Sequence, residues 1–117
     1  MFKKINRLTK KKDIEALMKQ GKAVYFLLFI IKYRPNNLNL SRFAVIVSSR
    51  VSKKAVKRNL AKRRIREVIR LNLPKIEKGF DIAIIVSPKI IDQTGRVAKY
   101  KELEKTLLSA FKKAQLI

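Results

Sequence analysis

Residues 53–67, KKAVKRNLAKRRIRE, are the most strongly charged stretch of the chain, with eight Lys or Arg residues against one Glu. We interpret the stretch as part of a helix that Pro74 stops. A turn of about 100° per residue separates an apolar side from a cationic side. The apolar side is formed by Ala61, Ile65, Val68 and Ile69. The cationic side is formed by Asn59, Lys62, Arg63, Arg66 and Arg70. The pattern predicts a helix, from about Ser52 to Leu73, that packs through one face and presents cations on the other.

Three apolar segments around this helix are rich in β-branched and aromatic residues, a composition that favours strands. AVYFLLFIIKY (23–33) is predicted to form one strand buried on both faces. RFAVIVSS (42–49) is predicted to form a second strand, antiparallel to the first, after a turn at 34–41. KGFDIAIIVSP (78–88) predicts a further strand.

Two more helices are predicted, one near each end of the chain. Thr9 can cap the start of the first helix and Gly21 suits its end. The last helix begins near Tyr100, where apolar residues recur at helical spacing. The order helix, strands, helix, strand, helix predicts an α+β fold, a single α/β sandwich spanning 1–117 with about four strands in a mixed sheet and three helices.

The composition restricts the possible functions. Lys and Arg total 30 and Asp and Glu total 8, for a formal net charge of +22. Such a charge indicates a polyanionic partner, either nucleic acid or an anionic membrane surface. The chain has no Cys and no His, which excludes disulfides and removes the commonest general base. The few acids form no evident cluster, so a nuclease that acts alone is disfavoured, because metal-assisted hydrolysis needs ligands.

Membrane insertion and secretion are not indicated by the sequence. The longest apolar run, AVYFLLFII (23–31), is too short for a membrane helix. The first residues lack an apolar segment followed by a cleavage site of small residues. We therefore expect a cytoplasmic protein without a membrane partner.

The charged face of the central helix has two interpretations, a solvated surface or a contact surface for nucleic acid. From Arg50 to Arg70 the sequence has ten basic residues and one acidic residue, Glu67. A helix whose charged face is only solvated usually carries charges of both signs. The forked N–H groups of an Arg guanidinium match the oxygens of a phosphate, and the side-chain amide of Asn59 can both donate and accept hydrogen bonds. The contact interpretation is favoured, although charge alone leaves RNA and DNA open. The predicted contact residues are Arg50, Lys53, Lys54, Lys57, Arg58, Asn59, Lys62, Arg63, Arg66 and Arg70.

Five segments together resemble the bacterial ribonuclease P protein family. They are NRL (6–8), KQG (19–21), FAVIVSS (43–49), AVKRNLAKRRIRE (55–67) and FDIAIIVSP (80–88). The family pattern is close to Ala-Val-x-Arg-Asn-Arg-x-Lys-Arg-x-x-Arg-Glu. This chain departs from it at Leu60, where the family has a second Arg. The resemblance implies a left-handed crossover around the basic helix.

The resemblance also implies a function. A protein subunit of ribonuclease P would bind the catalytic RNA and the 5′ leader of precursor tRNA, and assist Mg²⁺-dependent removal of that leader. The protein would contribute no catalytic residue, and Mg²⁺ would be bound mainly through the RNA, with no direct protein ligand and only Asn59 in its vicinity. Oligomerisation of the protein would not be required.

The leader would occupy a cleft between the first helix and the sheet. The implied cleft residues are Ile14, Met18, Phe29, Lys32, Tyr33 and Arg42. The apolar ones can equally be core residues, and strand register decides between these roles because a slip of one residue exchanges the faces.

Two other classes of function are compatible with the composition. One is a structural RNA-binding protein of the ribosomal type or an RNA chaperone. The other is a protein that binds membrane surfaces or compacts DNA.

Overall fold

The computed structural model describes residues 3–117, which contain three α-helices and four β-strands. The elements are α1 (Lys11–Gln20), β1 (Lys22–Phe26), β2 (Phe29–Pro35), β3 (Arg42–Ile46), α2 (Ala55–Asn72), β4 (Phe80–Val86) and α3 (Tyr100–Lys113). The predicted α+β class, with three helices and a mixed four-stranded sheet, is confirmed. Residues 1 and 2 of the predicted 1–117 domain lie outside the described residues.

The sheet has the strand order β1-β2-β4-β3. β1 pairs with β2, and β2 with β4, in antiparallel fashion, whereas β3 and β4 are parallel. β2 and β3 therefore run in opposite directions, as predicted, but β4 lies between them. α2 connects β3 to its parallel neighbour β4, as the implied crossover requires. The left-handed sense of this crossover stays a prediction from the resemblance.

The segment 23–33 is not one strand, and that prediction is wrong. It forms a hairpin in which Phe26 pairs with Phe29 and only Leu27 and Leu28 make the turn. Leu27 has a φ of 46°, in the left-handed region that hairpin turns usually assign to Asn or Gly. Because both turn residues are apolar, the sequence carries no turn signal at this point.

The ends of α1 differ from the prediction at one position. The helix begins at Lys11 after Lys10, and no side chain caps it, so the capping role predicted for Thr9 is wrong. Gly21 does end the helix, and its N–H donates to the carbonyl oxygen of Leu17 at 2.8 Å. A Cβ at Gly21 would lie 2.6 Å from that oxygen, so the close backbone approach requires glycine.

The helices pack on both faces of the sheet. The predicted apolar side of α2 is confirmed, because Ala61, Ile65, Val68 and Ile69 are completely buried. The apolar side of α2 packs with α3 and one face of the sheet, and together they form the main core. α1 covers part of the other face through Leu17, which packs against Ala44 and Ala83. None of the described helices is long and apolar enough to cross a bilayer.

Candidate nucleic-acid interface

The exposed side of α2 forms a groove of about 230 Å³, which we call the basic groove. Asn59, Lys62, Arg63, Arg66 and Glu67 line it. Four of these are predicted contact residues on the cationic side of the helix. Within residues 3–117, no hydrogen bond or ion pair engages the side chains of those four. Their donors are therefore available to an anionic partner.

Three other predicted contact residues are bound within the protein. Lys57 donates to the carbonyl oxygen of Gly95, and Arg58 donates to that of Ser52 at 2.8 Å. Arg70 donates through both Nε and Nη2 to the carboxylate of Glu67. This fork lowers the pKa of Glu67, so the carboxylate stays ionised and neutralises Arg70. These three cations are weaker candidates for RNA contact than those of the basic groove.

The predicted contact residues ahead of α2 have no such internal partners. Arg50, Lys53 and Lys54 are exposed in the segment that leads into the helix. In the described part of the chain, none of their side chains takes part in a hydrogen bond or ion pair. They extend the available cations beyond the N-terminal end of α2.

Arg64 differs from its neighbour Arg63 in what its side chain binds. Its Nη1 donates to the carbonyl oxygens of Val97 and Ala98, at 3.1 and 2.7 Å. These bonds attach α2 to the segment that precedes α3. Arg64 therefore has a structural role, whereas Arg63 is exposed on the basic groove.

The variants Arg64→Ala and Arg63→Ala should separate these roles. Arg64→Ala is expected to lower the free energy of unfolding by about 1–2 kcal/mol, because two carbonyl groups lose a charged donor. Its effect on RNA affinity should stay below roughly fivefold, as for a screened remote charge. Arg63→Ala should change stability by less than about 0.5 kcal/mol. Urea unfolding and RNA titration measure both quantities, and equal destabilisation by the two variants would contradict the assignment.

The second predicted site, the cleft beside α1, is present on the sheet face opposite α2 and α3. Ile14 and Met18 of α1 are half-buried and pack beside Ile46. Ala44 and Ala83 are paired neighbours in the sheet, and their small side chains let α1 approach closely. We call the space between α1 and this face the α1 cleft.

The two cations predicted for this cleft hold α1 in place. Nζ of Lys32 donates to the carbonyl oxygen of Met18 at 2.6 Å, near the C-terminal end of α1. Arg42 forms two hydrogen bonds with Asp81, at 2.8 and 2.7 Å, and lies 3.6 Å from Asp13 of α1. The hydrogen bonds with Asp81 raise the pKa of Arg42 above its ordinary value. Both side chains lie on the predicted face, but their charges are already engaged.

Phe29 and Tyr33 do not line the α1 cleft, and their predicted placement there is wrong. Side chains alternate between the two faces of the sheet along β2. Phe29 and Tyr33 therefore point to the face opposite the one that carries Lys32. Phe29 is buried in the main core, and Tyr33 packs edge-to-face with Phe80 at a centroid distance of 6.2 Å. The hairpin at Leu27 sets this register, which the sequence alone did not reveal.

One row of side chains across the sheet forms an open floor next to α1. The sequence reasoning did not predict this row. Its residues are paired neighbours on successive strands: Tyr25, Ile30, Ile85 and Ile46. Tyr25 is 65% exposed and the three Ile residues are half-buried. Alternation along each strand could have grouped these residues, once the hairpin turn was known.

A comparison with protein families identifies the chain. The family model Ribonuclease P matches residues 2–115. The chain belongs to the ribonuclease P protein family. This membership confirms the resemblance drawn from the motifs, and with it the role of a protein subunit of ribonuclease P, a ribonuclease of tRNA processing.

Individual members of the ribonuclease P protein family are similar to this chain over most of its length. The ribonuclease P protein component of Alkaliphilus oremlandii is 36% identical over 116 residues, 99% of this chain and 96% of the relative. The solved ribonuclease P protein of Thermotoga maritima has a TM-score of 0.82 at 33% identity, covering 92% of this chain and 96% of that one. A Staphylococcus aureus ribonuclease P protein mutant has a TM-score of 0.86 at 25% identity, covering 97% and 92%.

The donor set of this family member does not fit a protein-held Mg²⁺ site. Among residues 3–117, no group of three or more acidic, His or Cys side chains is close enough to hold a metal ion. Glu67, which lines the basic groove together with Asn59, is engaged by Arg70. Mg²⁺ prefers several oxygen ligands and retained waters, and the cations of the groove oppose its approach.

At Leu60 the chain departs from the family motif, which has Arg there. Position 60 does not lie on the contact face, so this departure does not remove a cation from that face. The side chain of Leu60 is half-buried and packs against the main core. It lies one helical turn before Arg64, whose side chain attaches α2 to the segment that precedes α3. The chain thus uses this position for packing.

Leu60→Arg, which restores the family residue, is expected to lower the free energy of unfolding by about 1–2 kcal/mol. The reason is the loss of part of the roughly 1.5–3 kcal/mol that burial of a Leu side chain contributes. RNA affinity should rise less than about tenfold, the effect of an added charge that does not reach the contact face directly. Urea unfolding and RNA titration test this, with Leu60→Ala as a charge-free control. A stable variant with a much larger gain in affinity would place position 60 on the contact face.

Proposed function

We propose that this subunit binds ribonuclease P RNA through the basic groove and the 5′ leader of precursor tRNA through the α1 cleft. In this way it assists Mg²⁺-dependent cleavage in the cytoplasm. The observation that carries the proposal is the set of unpaired donors on α2, beside a separate apolar cleft. Lys62, Arg63 and Arg66 match phosphate oxygens as donors and as charges.

The α1 cleft suits a single-stranded leader rather than a duplex. Its floor is apolar, and Tyr25 offers an exposed ring at one end. Unpaired bases stack on such rings and tolerate any sequence. Ile14 and Met18 supply apolar contact from the side of α1, where Met adapts its shape readily.

The protein itself does not cleave the phosphodiester in this proposal. Hydrolysis needs an activated water and stabilisation of developing charge, and the chain has neither His nor Cys to activate one. Phosphates of the RNA would hold the Mg²⁺ ions that supply this chemistry. The chain's cations would contribute by lowering the repulsion between the catalytic RNA and its substrate.

Reconstitution with a bacterial ribonuclease P RNA tests the proposal. Adding the protein at low Mg²⁺ should increase cleavage of precursor tRNA relative to RNA alone. Of the ten basic residues from Arg50 to Arg70, four are bound internally, which leaves six. Six neutralised phosphates predict a loss of affinity of roughly 10³-fold between about 50 and 200 mM salt.

Three outcomes would contradict the proposal. Absence of any stimulation would remove the assignment to this reaction and favour a general RNA-binding role, which co-purification with ribosomal subunits would support. A nearly flat salt response would show that the six available cations do not engage phosphates. Tight binding to anionic vesicles that survives excess RNA would favour a membrane surface instead.

A further inference from the structure

A cavity of about 540 Å³ lies at the end of the sheet where the β1–β2 hairpin turns. β4 runs antiparallel to β2, and β3 runs parallel to β4, so the C-terminal ends of β3 and β4 reach this same end. We call this cavity the hairpin pocket. Tyr25 and Leu27 of the hairpin line it, together with Ile30, Ile85 and Arg50.

Two large side chains on the hairpin side of the pocket are left in solvent by the fold. Tyr25 is 65% exposed and Leu27 is 75% exposed. Leu27 has a φ of 46°, in a region that glycine enters without steric cost and leucine does not. Neither burial nor the turn accounts for a leucine at this position. Such an exposed and strained side chain indicates a contact outside the chain.

The ends of β3 and β4 bring polar groups to the pocket. The hydroxyl oxygens of Ser48 and Ser87 accept from the backbone N–H groups of Arg50 and Lys89, at 3.3 and 3.2 Å. Neither hydroxyl donates to an acceptor within residues 3–117, so each O–H is left for a ligand. Arg50 is exposed, and its guanidinium has no partner in the described chain. The pocket thus offers two hydroxyl donors and one positive charge beside an apolar wall.

This combination of groups fits one nucleotide of single-stranded RNA. An unpaired base stacks on an exposed aromatic ring, and its edge forms hydrogen bonds with polar side chains. A guanidinium fork matches the phosphate of the same nucleotide. A duplex offers no such base, because its bases are paired and stacked on one another. The formal net charge of +22 favours a polyanionic strand over an apolar peptide.

The position of the pocket indicates which RNA supplies the base. Three of its residues, Tyr25, Ile30 and Ile85, also belong to the open floor next to α1. The pocket therefore continues the α1 cleft toward the hairpin, and a strand on this floor reaches it along the same face of the sheet. None of the described residues that line the basic groove also lines the hairpin pocket. The leader is thus a better match than the catalytic RNA.

We propose that the hairpin pocket binds one unpaired base of the 5′ leader, stacked on the ring of Tyr25 and flanked by Leu27, while Arg50 contacts the phosphate of that nucleotide. The pocket anchors the strand where it leaves the floor of the α1 cleft. It therefore contributes affinity for precursor tRNA that mature tRNA does not receive. This inference rests on the proposed function, to which it adds a defined site for one base.

Abasic scanning of the leader tests the site. Each leader nucleotide of a precursor tRNA is replaced in turn by an abasic residue. Affinity is measured for the ribonucleoprotein reconstituted from this chain and a bacterial ribonuclease P RNA. One abasic position should weaken binding to the wild-type enzyme roughly 5–150-fold, as for loss of one stacked base. Tyr25→Ala should weaken binding of the intact precursor by a similar factor, and the same abasic position should then have no further effect.

Two further variants separate base contact from folding. Tyr25→Phe keeps the ring, so it should retain the sensitive position and an affinity within about threefold of wild type. Leu27→Gly suits the φ of the turn and should leave the free energy of unfolding equal to or above that of wild type. Its precursor binding should weaken roughly 3–15-fold, part of what burial of a Leu side chain contributes. A Tyr25→Phe variant as weak as Tyr25→Ala, or a Leu27→Gly variant that loses stability and keeps affinity, would contradict the stacked site.

The controls separate this inference from the proposed function. Leu38→Ala removes an exposed apolar side chain beyond the other end of β2, and it should leave the affinity and the sensitive position unchanged. Wild-type protein that stimulates cleavage, but gives no sensitive position or one that persists in Tyr25→Ala, would overturn the pocket alone. Wild-type protein that fails to stimulate cleavage would overturn the proposed function.

A final comparison distinguishes the leader from the other RNA surfaces that offer a base. The Tyr25→Ala protein should bind ribonuclease P RNA with wild-type affinity, and its reconstituted enzyme should bind mature tRNA as the wild type does. Weaker assembly with ribonuclease P RNA would assign the base to the catalytic RNA and overturn the leader site. Weaker binding of mature tRNA would assign it to the tRNA body, with the same consequence. Unchanged values for both, together with weaker binding of the precursor, support the proposal.

Discussion

Replacing Lys62 and Arg63 together by Ala is expected to weaken binding of ribonuclease P RNA by roughly 10²–10⁴-fold. Each side chain is without an internal partner in the described chain and faces the basic groove. A charged hydrogen bond contributes roughly 1.5–3 kcal/mol, and two independent contacts multiply their effects on affinity. The measurement is equilibrium RNA binding at one fixed salt concentration.

The matched control for this double variant removes the same charge elsewhere. Lys101 and Lys105 are both exposed on α3. Their joint replacement by Ala should weaken binding less than about tenfold, because screened remote charges contribute little. If both double variants lose affinity equally, net charge rather than the basic groove determines binding.

Asp81→Ala is expected to lower the free energy of unfolding by about 3–5 kcal/mol, the largest stability effect among these variants. The Asp81 side chain is only 5% exposed, and it accepts two hydrogen bonds from Arg42 and one from Asn36. Removing this nearly buried carboxylate leaves Arg42 with only the longer contact to Asp13, and it leaves the amide of Asn36 without this acceptor. Urea unfolding measures the loss.

Asp13→Ala provides the comparison for the Asp81 variant. Asp13 also faces Arg42, but at 3.6 Å and with 37% of its side chain exposed. Its removal should cost less than about 1 kcal/mol, the usual range for an exposed ion pair. Equal losses in the two variants would mean that Arg42 depends on both carboxylates alike.

Helical periodicity predicted the interior of α2 correctly from the sequence. The four residues Ala61, Ile65, Val68 and Ile69 recur at helical spacing, and all are completely buried. The same reasoning placed Asn59 on the opposite side, where it lines the basic groove. Periodicity succeeds here because the packing of a long amphipathic helix is decided by its own pattern.

The cleft was predicted less well, since it depends on strand register. The two-residue turn at Leu27 and Leu28 has no Gly, Asn or Asp to reveal it. Without that turn the faces of 23–33 cannot be assigned, so the sequence predicts Phe29 in the cleft and does not reveal the place of Ile30. Periodicity also gives no information about partners, so the internal bonds of Lys57 and Arg64 could not be foreseen.

The strand order has a consequence for how the chain acquires its structure during synthesis. β4 is the last strand to be made, yet it occupies a central position between β2 and β3. Until residue 86 has been synthesised, β3 lacks its strand partner in the sheet, and among the four strands β1 and β2 alone can pair. Such non-local pairing is slow to form. α2 must emerge in full before the sheet closes, so its cations are exposed to cellular polyanions before the domain beneath them is complete.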